Sequence, residues 1–177
     1  VGASKLNWAI AQAETTNAPF DLTVGAGTAL HVEGNAAIEF AGLLTIEGSF
    51  ALDQFDVVLA GGGDPDYAQL GAGATGLALQ LQLAGGIPTG GVSGSGTLQL
   101  IQLTNLAGQS WLGVEATDLN FALEFAPLSL AVTDGALQLN QAPVGASKLD
   151  WSIAQAQTTN APFDLTVGAG TALHVEG

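Results

Sequence analysis

The chain is 177 residues long and 47 % hydrophobic, yet it sets 16 acidic residues against two lysines and no arginine, for a net charge of −14. Phosphate neutralisation needs Lys and Arg, so nucleic acid is excluded as a partner, anionic membrane surfaces are disfavoured, and divalent cations are the natural counter-charge. No run approaches the roughly 18 uninterrupted apolar residues of a membrane helix, and the absence of Cys and Met precludes a disulfide framework while suiting life outside the cell, where oxidised Met goes unrepaired.

The chain opens on a segment that returns at its end. VGASKLNWAIAQAETTNAPFDLTVGAGTALHVEG, Val1 to Gly34, recurs 143 residues later as VGASKLDWSIAQAQTTNAPFDLTVGAGTALHVEG, Val144 to Gly177. Three positions differ: Asn7 against Asp150, Ala9 against Ser152, and Glu14 against Gln157. A fixed internal period is the signature of an array. Residues 1–143 therefore read as one complete unit and residues 144–177 as the start of the next. With no initial Met and an end inside the second copy, the chain is expected to be a window on a longer protein. A unit of this length can bury its own core, unlike the short repeats of ankyrin-type arrays.

Within the recurring segment, Ser4 to Thr16 admits two readings. As a helix it has Ser4 as N-cap and Leu6, Ile10 and Ala13 on one stripe. As a strand it turns Leu6, Trp8 and Ile10 inward and Lys5, Asn7 and Ala9 outward. The strand is more economical, since two of the three differences then fall on the outward face.

From there, alternation with period two dominates. Leu30 and Val32 oppose His31 and Glu33. Leu44, Ile46, Gly48, Phe50 and Leu52 oppose Thr45, Glu47, Ser49, Ala51 and Asp53. Leu77 to Leu83, then Leu98 and Leu100, keep the pattern, and the change of phase at Ile101 and Leu103 predicts a bulge. Leu119 to Phe125, Leu128 to Val132, and Leu137 with Leu139 follow as further strands. Turns are expected at Gly34-Asn35, Gly61 to Asp66, Gly85-Gly86, Gly90-Gly91 and Asp134-Gly135.

These are half-buried strands with apolar residues inward and acids or amides outward. The fold class is all-β, with antiparallel strands in a meander, a sandwich or a continuous ribbon, tandemly repeated, and a β-solenoid as the runner-up. About a dozen strands at ~4.8 Å would make a unit roughly 30 to 60 Å long. The 13 acids and single Lys of residues 1–143 would then fall well inside a Debye length of ~8 Å from one another. Such an array repels its neighbours laterally. The seam is expected at Asn140-Gln141-Ala142-Pro143, too short for a flexible linker, so that adjacent copies touch and cover each other's edge strands. The Val144 to Gly177 strands could even complete the sheet of the preceding unit.

Asp64-Pro65-Asp66 is the candidate metal site. Two carboxylates two residues apart on a loop can reach one hard cation, and calcium accepts loose oxygen geometry, but it needs six to eight ligands, for which Asp53 and Asp56 are the further candidates. An ordinary acidic turn accounts for the same residues. No cofactor is required. His31 and its copy His174 are the only histidines, one per unit, which removes an imidazole triad. His31 lies on a polar strand face beside Glu33. Trp8, Trp111 and Trp151 are expected in the core rather than as sugar-stacking platforms. Gly71-Ala72-Gly73 and Gly90-Gly91 are turns, with no Lys nearby to meet a phosphate. The acids lie on solvent faces rather than in an apolar pocket, so no enzyme is expected.

GNAAIEFAGLLTIEGSFALDQ (Gly34 to Gln54), LTVGAGTALHVEG and LSLAVTDGALQLNQA resemble the tandem β-repeats of giant secreted bacterial proteins, of the LEPR-XLL and giant adhesin-like kind. The resemblance implies extracellular or cell-surface display and a structural or adhesive role, with adjacent copies of the repeat as partners. It transfers no catalytic residue.

Overall fold

The computed structural model describes residues 26–40, 44–61, 63–86, 92–125 and 128–177. Its centre is one antiparallel sheet whose strands lie in chain order. They are β1 (Thr28–Phe40), β2 (Leu44–Asp56), β3 (Thr75–Gly86), β4 (Val92–Thr104), β5 (Ser110–Phe125), β6 (Leu128–Gln141) and β7 (Leu173–Glu176). The all-β, antiparallel meander expected from alternation is present, but the strands are fewer and longer. Gly34-Asn35 is no turn: it lies within β1, opposite Phe50 and Ser49. Asp134-Gly135 lies within β6, where Asp134 takes φ 52 opposite the register shifts at 116–121 of β5. A bulge there absorbs the left-handed residue without ending the strand.

Register sorts the residues onto two faces. One cross-strand row reads Val32–Leu52–Leu79–Leu100–Val114–Leu139–Leu173, and the next Gly34–Phe50–Leu81–Leu98–Ala116–Leu137–Val175. On the opposite face run His31–Asp53–Ala78–Ile101–Gly113–Asn140 and Glu33–Ala51–Gln80–Gln99–Glu115–Gln138–His174.

The packed core forms on the second, more polar face, at one end of the strands. It joins Phe55, Ala78, Ile101, Leu103 and Trp111 of the sheet to Val57, Tyr67, Leu70 and Ala74 of the β2–β3 connection. Leu149, Trp151, Ala154, Ala161, Leu165 and Val167, from the connection between β6 and β7, cover them. The expectation of apolar-in, polar-out strands is thus corrected. The leucine-rich face is the more open one, with Leu30 at 46 %, Val32 at 40 % and Leu83 at 45 % exposure.

The expected bulge at Ile101 is corrected too. β4 pairs with β3 without a break from Ser93 to Thr104, and Ile101 and Leu103 point apolar groups at the cover. The sequence changes phase there because at that end the apolar positions pass to the covered face, while Gln54, Gln102 and Gln141 take the leucine-rich one.

Fully burying a large apolar side chain is worth about 1.5–3 kcal/mol, and truncation adds the cost of a cavity. Leu103→Ala, at 1 % exposure, is therefore expected to cost about 2–5 kcal/mol. Leu106→Ala, at 81 % exposure in the β4–β5 loop, should stay near wild type; urea unfolding followed by tryptophan fluorescence measures both.

Candidate functional site

The region with most built-in detail is the cover, residues 142–172, and the strand it leads to. It comprises most of the second copy of the recurring segment. From the end of β6 the chain crosses the core face to the far side of the sheet and returns to pair as β7. On the way Thr158 bridges Leu59, the Ala60 N–H donates to the Gln157 carbonyl at 2.9 Å, and the Thr159 N–H donates to Val58 at 3.0 Å. The Asn160 amide donates to the Asp56 carbonyl at 2.7 Å.

Ser4 to Thr16 lies outside the described residues, but its copy is described. There the economical strand is replaced by a 3-10 turn, Trp151–Ile153, and one α-helical turn, Ala154–Gln157. Asp150 explains the start: its carboxylate accepts the Ser152 N–H at 3.1 Å and the Ser152 hydroxyl at 2.6 Å. A capping carboxylate satisfies donors a helical start leaves free. Two of the three differences between copies are therefore partners in one cap. The third, Gln157, accepts the Asp64 N–H at 2.6 Å.

Trp151 lies on the sheet where Gly113 leaves room. A Cβ on Gly113 would stand 2.7 Å from the indole, so only glycine admits the ring. The indole N–H donates to Asn140 Oδ1 at 3.1 Å, and the Asn140 amide donates to the carbonyls of Leu149 at 2.8 Å and Gly168 at 3.0 Å. Asn140 is 2 % exposed, so one side chain of β6 satisfies three buried polar groups of the cover. Trp111 donates to the Ser147 carbonyl at 3.0 Å. The Tyr67 hydroxyl donates to the Asp150 carbonyl at 2.9 Å, and burial pushes its pKa well above the ordinary phenol value. Glu115, 5 % exposed, accepts from the Thr166 N–H at 2.9 Å, from the Thr166 hydroxyl and from Gln138 at 3.2 Å. A buried carboxylate is tolerated when its lone pairs are met in this way. The expected core positions of Trp111 and Trp151 are found, at 1 % and 0 % exposure; Trp8 lies outside the described residues.

The candidate metal residues are placed as follows. Asp64 Oδ1 accepts the Asp66 N–H at 2.8 Å, an Asx turn leading into the 3-10 turn Tyr67–Leu70. Asp53 is on β2, where it holds His31 Nδ1 at 2.5 Å, and the carbonyl of Asp56 holds Asn160. Among the described residues no three His or acidic side chains form a group able to hold a metal. His31 also faces Glu33 at 3.6 Å, and its copy His174 faces Glu176 at 3.3 Å. Among the described residues no helix is long and apolar enough to cross a membrane.

No family model, curated protein or solved structure matches the chain.

Glu115 and Asn140 escaped the sequence reading as site residues because Glu115 sits between Val114 and Ala116 and Asn140 follows Leu139, like any outward polar residue of an alternating strand. The three differences between copies were the available signal, since all three fall on the cover's capping and docking contacts.

Asn140→Ala is expected to cost about 2–4 kcal/mol by leaving the Trp151 N–H and two carbonyls unpaired, with a red shift of tryptophan emission. His31 has its pKa raised above 6.5, first by its hydrogen bond to Asp53 and further by the charges of Asp53 and Glu33. The stabilisation from this pair is then full below about pH 6.5 and fades as pH rises through the raised value. An NMR titration should give His31 a midpoint above 6.5 that falls in Asp53→Asn.

Proposed function

We propose that the chain is a structural repeat of a giant extracellular bacterial protein, stacking end to end into a rod or filament that serves as a spacer, fibre or surface layer. The observation that carries this reading is the position of β7. Leu173–Glu176 are the second copy of Leu30–Glu33, which belong to β1. The same four residues thus pair with β2 inside the unit and with β6 at its far edge. A sheet whose last strand is paired by the first strand of the next copy has no end at the seam, and the edge that would invite aggregation becomes the joint.

The joint carries a small offset. The row that starts at His31 reaches β6 at Asn140 and continues to Ala172, whereas the copy of His31 is His174. Successive units are staggered by two residues, about 7 Å along the strands. The 31-residue cover reinforces the joint, because it starts a new copy in sequence while burying its tryptophan in the preceding one. Acids on the core face, among them Glu33, Glu47 and Asp53, keep the exterior charged and soluble.

Six strands per unit at ~4.8 Å give an axial repeat of about 29 Å. Electron microscopy of a chain with several repeats should show a stiff rod with that period. Globules on flexible joints would refute the shared sheet.

A further inference from the structure

Among the described residues, nothing covers the leucine-rich face of the sheet. Its two complete rows, Val32 to Leu173 and Gly34 to Val175, contain no polar side chain, and of their members only Ala116 is buried. None of the core residues comes from these rows. Six strands of about 12 residues and the four-residue β7, at ~4.8 Å spacing and ~3.3 Å per residue, make a surface of roughly 1,200 Å², polar at the end that carries Gln54, Asp56, Gln102 and Gln141. The largest apolar patch of an ordinary monomer is about 300–600 Å², and a stable interface takes about 800 Å² from each partner.

We propose that this face packs against the same face of a second copy of the chain, forming a two-layer β-sandwich across a two-fold axis. Three features select that occupant. The two complete rows are a regular pleat of Leu, Val, Phe, Ala and Gly, the surface that sheet-on-sheet packing at ~10 Å interdigitates. The apolar part of the face, roughly 850 Å² by the same spacings, matches what a dimer needs. The charges are arranged for it: Glu33, Glu47, Asp53, Glu115 and Glu176 all stand on the opposite face, as the register shows. Two chains of charge −14 can then meet through these apolar rows, with these acids outermost and Asp56 at the polar end of the face. A sheet that continues through β7 keeps the next copy of the same chain in its own plane, so the facing layer comes from another chain. An anionic lipid surface would meet only repulsion from the acids and two lysines.

The chain has no native cysteine, so single cysteines report on the contact directly. Leu79→Cys, Leu100→Cys and Val114→Cys occupy neighbouring positions in the central row, while Gln99→Cys sits on the opposite face of β4. Under mild oxidation of the full chain, at least one of the first three is expected to give a disulfide-linked dimer, and Gln99→Cys none. Sedimentation of the unmodified chain should give twice 17.6 kDa, and Leu98→Lys with Leu100→Lys should give the monomer with tryptophan emission unchanged. If the double variant unfolds, the cysteine pattern decides alone. A wild-type chain that sediments as a monomer at micromolar concentration, with no cross-link in the central row, overturns the proposal. Oligomers joined by exchange of residues 1–34 between molecules would leave the central-row thiols free and also overturn it. Binding to phosphatidylcholine vesicles, lost in the lysine variant without dimerisation of the wild type, would assign the face to lipid instead.

Discussion

The contact between Trp151 and Gly113 is where the two halves of the molecule meet. Among the described residues the sheet is a single layer across most of its length, and a single layer cannot exclude water from its own side chains. Where the indole settles on the bare backbone of Gly113 the described residues form a second layer, and the fully buried residues gather around it. Phe55, Ile101, Leu103 and Trp111 supply the floor, and Leu149, Leu165 and Val167 the roof. Asn140 makes the arrangement specific, because its side chain satisfies one donor and two acceptors that this docking takes out of water.

That the roof belongs to the second copy in sequence separates two kinds of boundary. Sequence repetition places the seam after Pro143, whereas packing joins residues 144–172 to the sheet formed by residues 28–141. In the tandem array proposed above, this offset would have mechanical consequences. A joint made of a shared strand ladder and a buried tryptophan resists both bending and pulling, whereas a linker between finished domains resists neither. The differences between copies are consistent with such a joint: Asp150 with Ser152 completes a cap, and Gln157 receives the Asp64 N–H.

The alternation of apolar and polar residues announced the antiparallel strands, though not their greater length and smaller number, since period two is a property of the backbone pleat and survives any tertiary arrangement. Turn chemistry was less dependable. Gly34-Asn35 and Asp134-Gly135 have turn composition but stay extended or bulged, because β2 and β5 offer continuous partners on either side of them. The Ser147–Thr159 stretch, spaced like a strand, coils instead because it has no neighbouring strand for most of its length and its polar groups find Asp150 and the β2–β3 connection. The carboxylates of Asp64 and Asp66 were legible as a loop pair, yet one oxygen of Asp64 is already used in shaping that loop.

By itself the sequence determined the all-β class, the recurrence of 34 residues after 143, and the segregation of most charge from leucine along the strands. These follow from composition and from local periodicity, which need no knowledge of what lies far away in the chain. Which face of the sheet holds the core, where the second copy docks, and why Glu115 and Asn140 are buried were decided only by tertiary structure. Each depends on residues more than 25 positions apart meeting across the sheet, and alternation is the same on a strand whichever face the fold chooses to cover.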